Sequence, residues 1–192
     1  LGRLTKVEEL NWNEPVYSTT NYTLNVRDQL TEMNQQGQLR TFSYDGYGRL
    51  SQCIKPERGS TTYTYFADDE VQTVTDARGA ISTFGYNNRG LVTSITYTAP
   101  SGVAATPNVS FGHDSAGNRT SMTDGLGSVA YAYNTLSRMT SETRTFTGVG
   151  SYTLSYGYNL AGQLTSITNP WNAQVGYVYD KIGRPKNVSG SG

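Results

Sequence analysis

Between residues 41 and 53 the chain reads Thr41-Phe42-Ser43-Tyr44, then Asp45-Gly46-Tyr47-Gly48-Arg49, then Leu50-Ser51-Gln52-Cys53. Two aromatics two residues apart lie on one face of a strand, because side chains change face at every step. An acid and a glycine follow, and then apolar residues six and nine positions beyond the second aromatic. Such alternation, interrupted by Asp and Gly, predicts a half-buried strand, a tight turn and a returning strand. No long segment repeats its apolar residues at the 3.6-residue period, so helix is not expected.

The same frame recurs along the chain. Its second aromatic position, numbered 0, holds Leu24, Tyr44, Tyr65, Tyr86, His113, Tyr133, Tyr158 and Tyr179, at steps of 20, 21, 21, 27, 20, 25 and 21. Position +1 holds Asn25, Asp45, Phe66, Asn87, Asp114, Asn134, Asn159 and Asp180, and position +4 holds Asp28, Gly48, Asp69, Gly90, Gly117, Ser137, Gly162 and Gly183. The mainly apolar position +6 holds Leu30, Leu50, Val71, Val92, Arg119, Met139, Leu164 and Pro185. Position +9 holds Met33, Cys53, Val74, Ile95, Met122, Glu142, Ile167 and Val188. A period of about 21 residues accommodates one β-hairpin with strands of ordinary length.

Each position has a physical reason. Asp or Asn at +1 bonds its own backbone two residues on, and Gly at +4 supplies a positive φ that other residues adopt only under strain. Positions +6 and +9 are three apart and would point to opposite faces of a regular strand, so a bulge or sharp twist is expected at +7 or +8. Between hairpins, Lys55-Pro56-Glu57-Arg58-Gly59, Asp76-Ala77-Arg78-Gly79, Asp124-Gly125-Leu126-Gly127 and Asn169-Pro170-Trp171-Asn172 read as return turns at the opposite rim. The two long steps contain Ala99-Pro100-Ser101-Gly102-Val103 and Thr147-Gly148-Val149-Gly150, which read as lengthened rim loops and not as linkers. The expectation is one array over residues 1–188, about eight repeats after a half repeat formed by Gly2-Arg3-Leu4 with Val7, and a flexible tail at 189–192.

Composition sharpens this picture. Hydrophobic residues are 35% of the 192, below the ~45–50% of ordinary globular chains, so a thick aliphatic core is not expected. The 15 tyrosines and 21 glycines suit pleated strands punctuated by tight turns. Lys plus Arg and Asp plus Glu are both 15, with no run of like charge, which leaves no electrostatic footprint for nucleic acid or an anionic membrane. No apolar stretch approaches the ~18 residues that span a bilayer, and the first residues lack the layout of a signal peptide. A single cysteine rules out an internal disulfide framework.

The frame is carried most clearly by Tyr44-Asp45-Gly46-Tyr47-Gly48-Arg49-Leu50, Tyr158-Asn159-Leu160-Ala161-Gly162-Gln163-Leu164 and Tyr179-Asp180-Lys181-Ile182-Gly183-Arg184. In these segments the chain resembles the YD or RHS repeats. Relatives of that kind include bacterial RHS polymorphic toxins, the B and C components of insecticidal Tc complexes, wall-associated proteins and the animal teneurins. The resemblance implies an all-β fold of tandem β-hairpins in a strongly twisted, curved antiparallel sheet, part of a spiral barrel or shell. It implies a non-catalytic wall that encloses or displays a toxin or effector domain, on a secreted or cell-surface protein of a bacterium. The implied partners are neighbouring repeats of a larger chain, or other copies meeting through sheet edges, and an enclosed toxin domain. No cofactor is implied. The residues taken to define the repeat are Tyr44, Asp45, Gly48, Leu50, Tyr65, Tyr86, Gly90, Gly117, Tyr133, Tyr158, Gly162, Leu164, Tyr179, Asp180 and Gly183. The chain departs from the frame at Leu24, His113, Arg119, Glu142 and Pro185, and it lacks the Asp-Pro-x-Gly core motif of self-cleaving shells, so cleavage is not carried over.

Some residues offer other chemistry. His113, the only histidine, beside Asp114 has the parts of a general base, yet it fills a slot held elsewhere by tyrosine. Cys53 fills an apolar slot and reads as a small buried hydrophobe, not a nucleophile. Asp68, Asp69, Glu70 and Asp76 cluster as a calcium loop would, but without EF-hand spacing. Asn21, Asn108, Asn118 and Asn187 open N-x-Ser/Thr sequons, which matter only in a secretory host. The tyrosines with Trp12 and Trp171 carry the competing function, an extracellular module that binds glycan or protein through exposed aromatics, although cross-strand aromatic pairs also stabilise sheets.

Overall fold

The structure is a computed structural model that describes residues 2–11 and 14–191. Among the described residues there are seventeen strands and no helix, all in one antiparallel sheet. The strands are β1 (Lys6–Asn11), β2 (Glu14–Leu24), β3 (Leu30–Gln35), β4 (Gln38–Tyr44), β5 (Leu50–Lys55), β6 (Gly59–Tyr65), β7 (Val71–Thr75) and β8 (Ile81–Tyr86). They continue as β9 (Val92–Thr98), β10 (Val109–His113), β11 (Arg119–Asp124), β12 (Gly127–Tyr133), β13 (Met139–Phe146), β14 (Gly150–Tyr158), β15 (Leu164–Thr168), β16 (Gln174–Tyr179) and β17 (Pro185–Ser191). Residues 189–191, expected as a tail, lie in β17, because Gly176, Val175 and Gln174 offer them a ladder.

The chain packs as two units, Leu1–Phe84 with Tyr97–Thr106, and Gly85–Thr96 with Pro107–Gly192. In the first unit the ladder runs from β1–β2 without interruption to β7–β8. In the second it runs from β9–β10 to β16–β17. Within each unit these pairings join strands that are neighbours in sequence, with β1 at one end of the first ladder and β17 at one end of the second.

The bulge demanded by the spacing of +6 and +9 is at +7. In the β4–β5 hairpin Phe42 faces Cys53, Ser43 faces Gln52 and Tyr44 faces Leu50, which leaves Ser51 unopposed. The same register shift leaves over Thr31 and Gln72 in the first unit, and Thr120, Thr140, Thr165 and Lys186 in the second. One extra residue returns +6 and +9 to the face that carries the two aromatics, so a four-residue cluster forms on one face despite the odd spacing, apolar in most hairpins and interrupted by His113, Arg119 and Glu142.

These clusters are shallow. Cys53 at 5% exposure and Val129 at 8% are the buried hydrophobic residues among those described, and no side chain is under 2% exposed. The accessible surface is 13,027 Å², where a compact protein of this mass exposes roughly 9,000 Å². Backbone pairing and half-buried rows, not a core, therefore hold the strands.

Close backbone approach makes one glycine indispensable. Gly127 opens β12 with φ +142, and a Cβ built there would lie 2.0 Å from the Thr145 carbonyl oxygen across the ladder. Gly148 has φ +75 but open space around it. Gly127→Ala should lower stability by about 3 kcal/mol or more, and Gly148→Ala by about 1 kcal/mol from backbone strain alone. Urea denaturation of both variants checks this, and equal losses would refute the steric argument.

Candidate functional site

The repeat unit itself is where sequence is converted into architecture, and its turn is the most uniform feature. Asp45 Oδ1 accepts the backbone N–H groups of Tyr47 and Arg49, both at 2.9 Å, while Asp45 N–H bonds Arg49 O at 2.8 Å and Gly48 N–H bonds Asp45 O at 3.0 Å. One side-chain oxygen thus organises a five-residue loop that would otherwise leave two donors unsatisfied. Asn25, Asn87, Asn134 and Asp180 repeat the double acceptance. The fourth loop residue has positive φ in every repeat: Asp28, Gly48, Asp69, Gly90, Gly117, Ser137, Gly162 and Gly183. The return turns at Asp76 and Asn169 use the same bonding, with Gly79 and Asn172 at positive φ.

Two kinds of contact tie successive hairpins together. Tyr44 donates its hydroxyl to Leu30 O at 2.8 Å and Tyr65 to Leu50 O at 2.8 Å; in the second unit Tyr133, Tyr158 and Tyr179 donate to Arg119, Met139 and Leu164 carbonyls, each at 2.9 Å. In each case the acceptor is the +6 residue of the preceding repeat, beside the bulge. The second contact runs along the turn rim from position +5. Gln29 Nε2 donates to Gly48 O at 2.7 Å, Arg49 Nη1 to Phe66 O at 3.1 Å and to Asp69 Oδ1 at 2.8 Å, and Asn118 Nδ2 to Ser137 Oγ at 3.1 Å. Where Leu91 occupies +5, Arg89 reaches Asp114 O and Ser115 O instead. Arg49 is further held between the Tyr47 and Tyr65 rings, 4.9 and 4.6 Å from their centroids. Position +5 was not singled out in the sequence, although its polar, long side chains were the signal.

The residues considered for other chemistry are dispersed. Cys53 is buried in the face of its hairpin. His113 has Nδ1 buried with no hydrogen-bond partner, and the Asp114 carboxylate is engaged with Asn118. Among the described residues no carboxylate therefore bonds His113 Nδ1. Asp69 pairs with Arg49 and Asp76 with Arg78, and among the described residues no three His, Cys, Asp or Glu side chains converge as metal ligands. Asn118 of the sequon set spends its amide on Asp114 and Ser137. Trp12 lies outside the described residues. Trp171 is 74% exposed, with its ring 6.2 Å from Tyr152, which in turn contacts Phe146 at 6.1 Å.

Electrostatics follow the turns. The Arg144 guanidinium, aided by the Leu126 N–H, holds Asp124 below the usual carboxylate range. The Arg184 N–H and guanidinium do the same for Asp180. At Tyr156, burial first and the Glu142 carboxylate second push the phenol up to about 12.

Residues 72–190 match the Teneurin YD-shell family model. Among solved structures, the crystal structure of TcdB2-TccC3-TEV is similar over 88% of this chain and 10% of that chain, with TM-score 0.74 and 18% identity. A Photorhabdus luminescens Tc holotoxin pore with a substituted TccC3 is similar over 90% of this chain and 11% of that chain, with TM-score 0.73 and 18% identity. TcdB2-TccC3 without its hypervariable C-terminal region is similar over 90% of this chain and 10% of that chain, with TM-score 0.74 and 18% identity. The chain therefore spans about a tenth of the length of these matches. At such identities the likeness is one of fold. No match is found among curated proteins.

Removing one tyrosine hydroxyl should isolate the contact between hairpins. Tyr158→Phe strands the Met139 carbonyl and should cost about 0.5–1.5 kcal/mol in urea denaturation, whereas Tyr47→Phe, at an exposed turn, should cost nothing measurable. Acid provides a second check. Asp124 and Asp180 have folded pKa values below their unfolded ones, so their contribution is complete above about pH 4 and is lost as pH falls through the folded values. The melting temperature should therefore drop below about pH 4, and Asp124→Asn with Asp180→Asn should flatten that drop while the turns persist, since Asn159 already fills the same slot as Asp180. An unchanged acid profile in the double variant would show that these carboxylates do not set it.

Proposed function

The chain belongs to the teneurin YD-shell family, and from that premise we propose that it is a stretch of wall in a larger repeat shell that encloses or displays a toxin or effector domain. Its role is structural. The observation that carries this reading is the tyrosine hydroxyl donated from one hairpin to the +6 carbonyl of the hairpin before it, because a bond of that kind adds units in one direction without a core. A wall needs continuous pairing and satisfied backbone groups, and both are supplied locally at every repeat. The partners proposed are neighbouring repeats of the parent chain, pairing with the outer strands β1 and β17, or other copies meeting those edges.

We propose no catalytic role. Cys53 is 5% exposed, and among the described residues His113 Nδ1 has no partner to orient it as a general base requires. Among the described residues no helix is long and apolar enough to cross a membrane. A secreted or surface-displayed parent in a bacterium is the setting proposed, and the similar solved structures include TcdB2-TccC3 and TcdB2-TccC3 without its hypervariable C-terminal region. Recognition of glycan or protein is a second reading, favoured by the exposed Trp171 and Tyr152.

Protease protection of the full-length parent tests the enclosure. The domain encoded beyond the repeats should survive at protease levels that destroy it within minutes when it is expressed alone. Digestion at the same rate in both settings would refute enclosure.

A further inference from the structure

One face of the second unit departs from the repeat pattern in several ways at once. The step from Tyr133 to Tyr158 is four residues longer than the common 21, and it lengthens β13 and β14 to 8 and 9 residues. Position +9, apolar in the other seven repeats, holds Glu142 here. Across the ladder Tyr131 faces Glu142, which faces Leu154, and in the next row Val129 faces Arg144, which faces Tyr152. These residues line a shallow recess with Pro170 at its rim, and the Trp171 ring packs against Tyr152 with an interplanar angle of 47°.

The polar atoms in this recess are only partly used. One Glu142 oxygen accepts the Tyr156 hydroxyl at 2.9 Å, and its other oxygen has no protein partner among the described residues. Arg144 spends Nη2 on both oxygens of Asp124, at 2.8 and 2.9 Å, while Nη1 and Nε carry no protein hydrogen bond among the described residues. The Tyr131 and Tyr152 hydroxyls likewise carry no hydrogen bond among the described residues. Glu142 is the one acid in the +9 row, and its bond from Tyr156 uses only one of its oxygens, so the break in the repeat's local rule marks a candidate functional position.

We propose that this recess is a binding subsite for a neutral pyranose with equatorial hydroxyls, such as a β-linked glucosyl unit. The chemistry discriminates among occupants. Asp124 already neutralises Arg144, and Glu142 adds negative charge, so a phosphate or uronate is disfavoured. An apolar protein cover would strand four hydrogen-bonding groups, each costing about 1–3 kcal/mol when desolvated without a partner. A polyol ring satisfies both halves of the recess: its C–H face stacks on Tyr152 and Trp171, and its hydroxyls donate to Glu142 and accept from Arg144.

This inference extends the recognition reading and is independent of the wall. Calorimetric titration of the chain with cellopentaose and with chitopentaose tests it, with folding of each variant followed by circular dichroism. At least one saccharide should bind with a Kd of about 1 mM or tighter. Trp171→Ala and Glu142→Gln should each weaken binding about tenfold or more, and Glu142→Gln keeps an acceptor for Tyr156, so it preserves the fold should Trp171→Ala not. Tyr47→Ala, which removes an exposed tyrosine from a turn of the first unit, should bind as the parent does. No binding of either saccharide at about 10 mM, or undiminished binding by the Glu142→Gln variant, would overturn the proposal. Either failure would leave the protease result on enclosure untouched.

Discussion

A five-residue loop closed around a residue of positive φ is the constraint on which each hairpin depends. In most repeats one side-chain oxygen organises it by accepting backbone N–H groups, whereas the loop opened by Phe66 closes on backbone bonds to Glu70 and Asp69. The loop decides which residues of the two strands face one another. Because the loop sets Tyr44 opposite Leu50 and leaves Ser51 over, the bulge is a consequence of the turn and not a separate device. The bulge in turn determines which side chains share the aromatic face and leaves the +6 carbonyl beside it for the tyrosine of the next repeat. An Asp or Asn of the right hand-span, one residue after an aromatic, thus propagates its effect from loop to register to neighbouring hairpin.

The energetic character of the sheet follows from what it lacks. With Cys53 and Val129 as the buried hydrophobic residues among those described, no layer of aliphatic side chains locks the strands. Many modest contacts do so instead: tyrosine hydroxyls on carbonyls, guanidinium groups on rim carbonyls, Thr64 against Thr73 at 2.7 Å and Thr143 against Thr153 at 2.8 Å. Each is worth about 1 kcal/mol or less. Stability distributed in this way tolerates the loss of single members, which is why Leu24 and His113 stand in the tyrosine slot without ending the array.

The sequence made the hairpins legible because their determinants are local. A three-residue spacing between +6 and +9 can be reconciled with one face only by an added residue, and the positive φ at +4 is announced by Gly48, Gly90 or Gly162. What it concealed were the relations between repeats. The hydroxyl that reaches Leu30 O from Tyr44 spans fourteen residues, and nothing local to Tyr44 points to its acceptor. A trace was present nonetheless: position 0 is never Phe, whereas Phe42, Phe84 and Phe111 serve equally well two residues earlier. Gly85, Gly112 and Gly157 hid a second relation, each leaving room for the serine opposite it, Ser94, Ser121 or Ser166. The small residues around Gly102 read as a lengthened rim loop, and there Gly102 has φ +81 and Val103 N–H bonds Pro100 O at 3.1 Å. Position +5 escaped notice because Gln, Arg and Asn share no apolarity, only the ability to reach a carbonyl on the next turn.

Pairing only between strands that follow one another has a kinetic meaning. Within each unit no described strand waits for a partner encoded far downstream, so loop-closure entropy stays small at each step and the topology carries little of the delay that non-local sheets incur. A hairpin leaving the ribosome can zip onto the one already made, its bulge rejecting a slipped register before the next arrives. The same order run backwards lets a pull on one end peel the sheet a hairpin at a time, with force spent on a few bonds at once and never on the whole structure together.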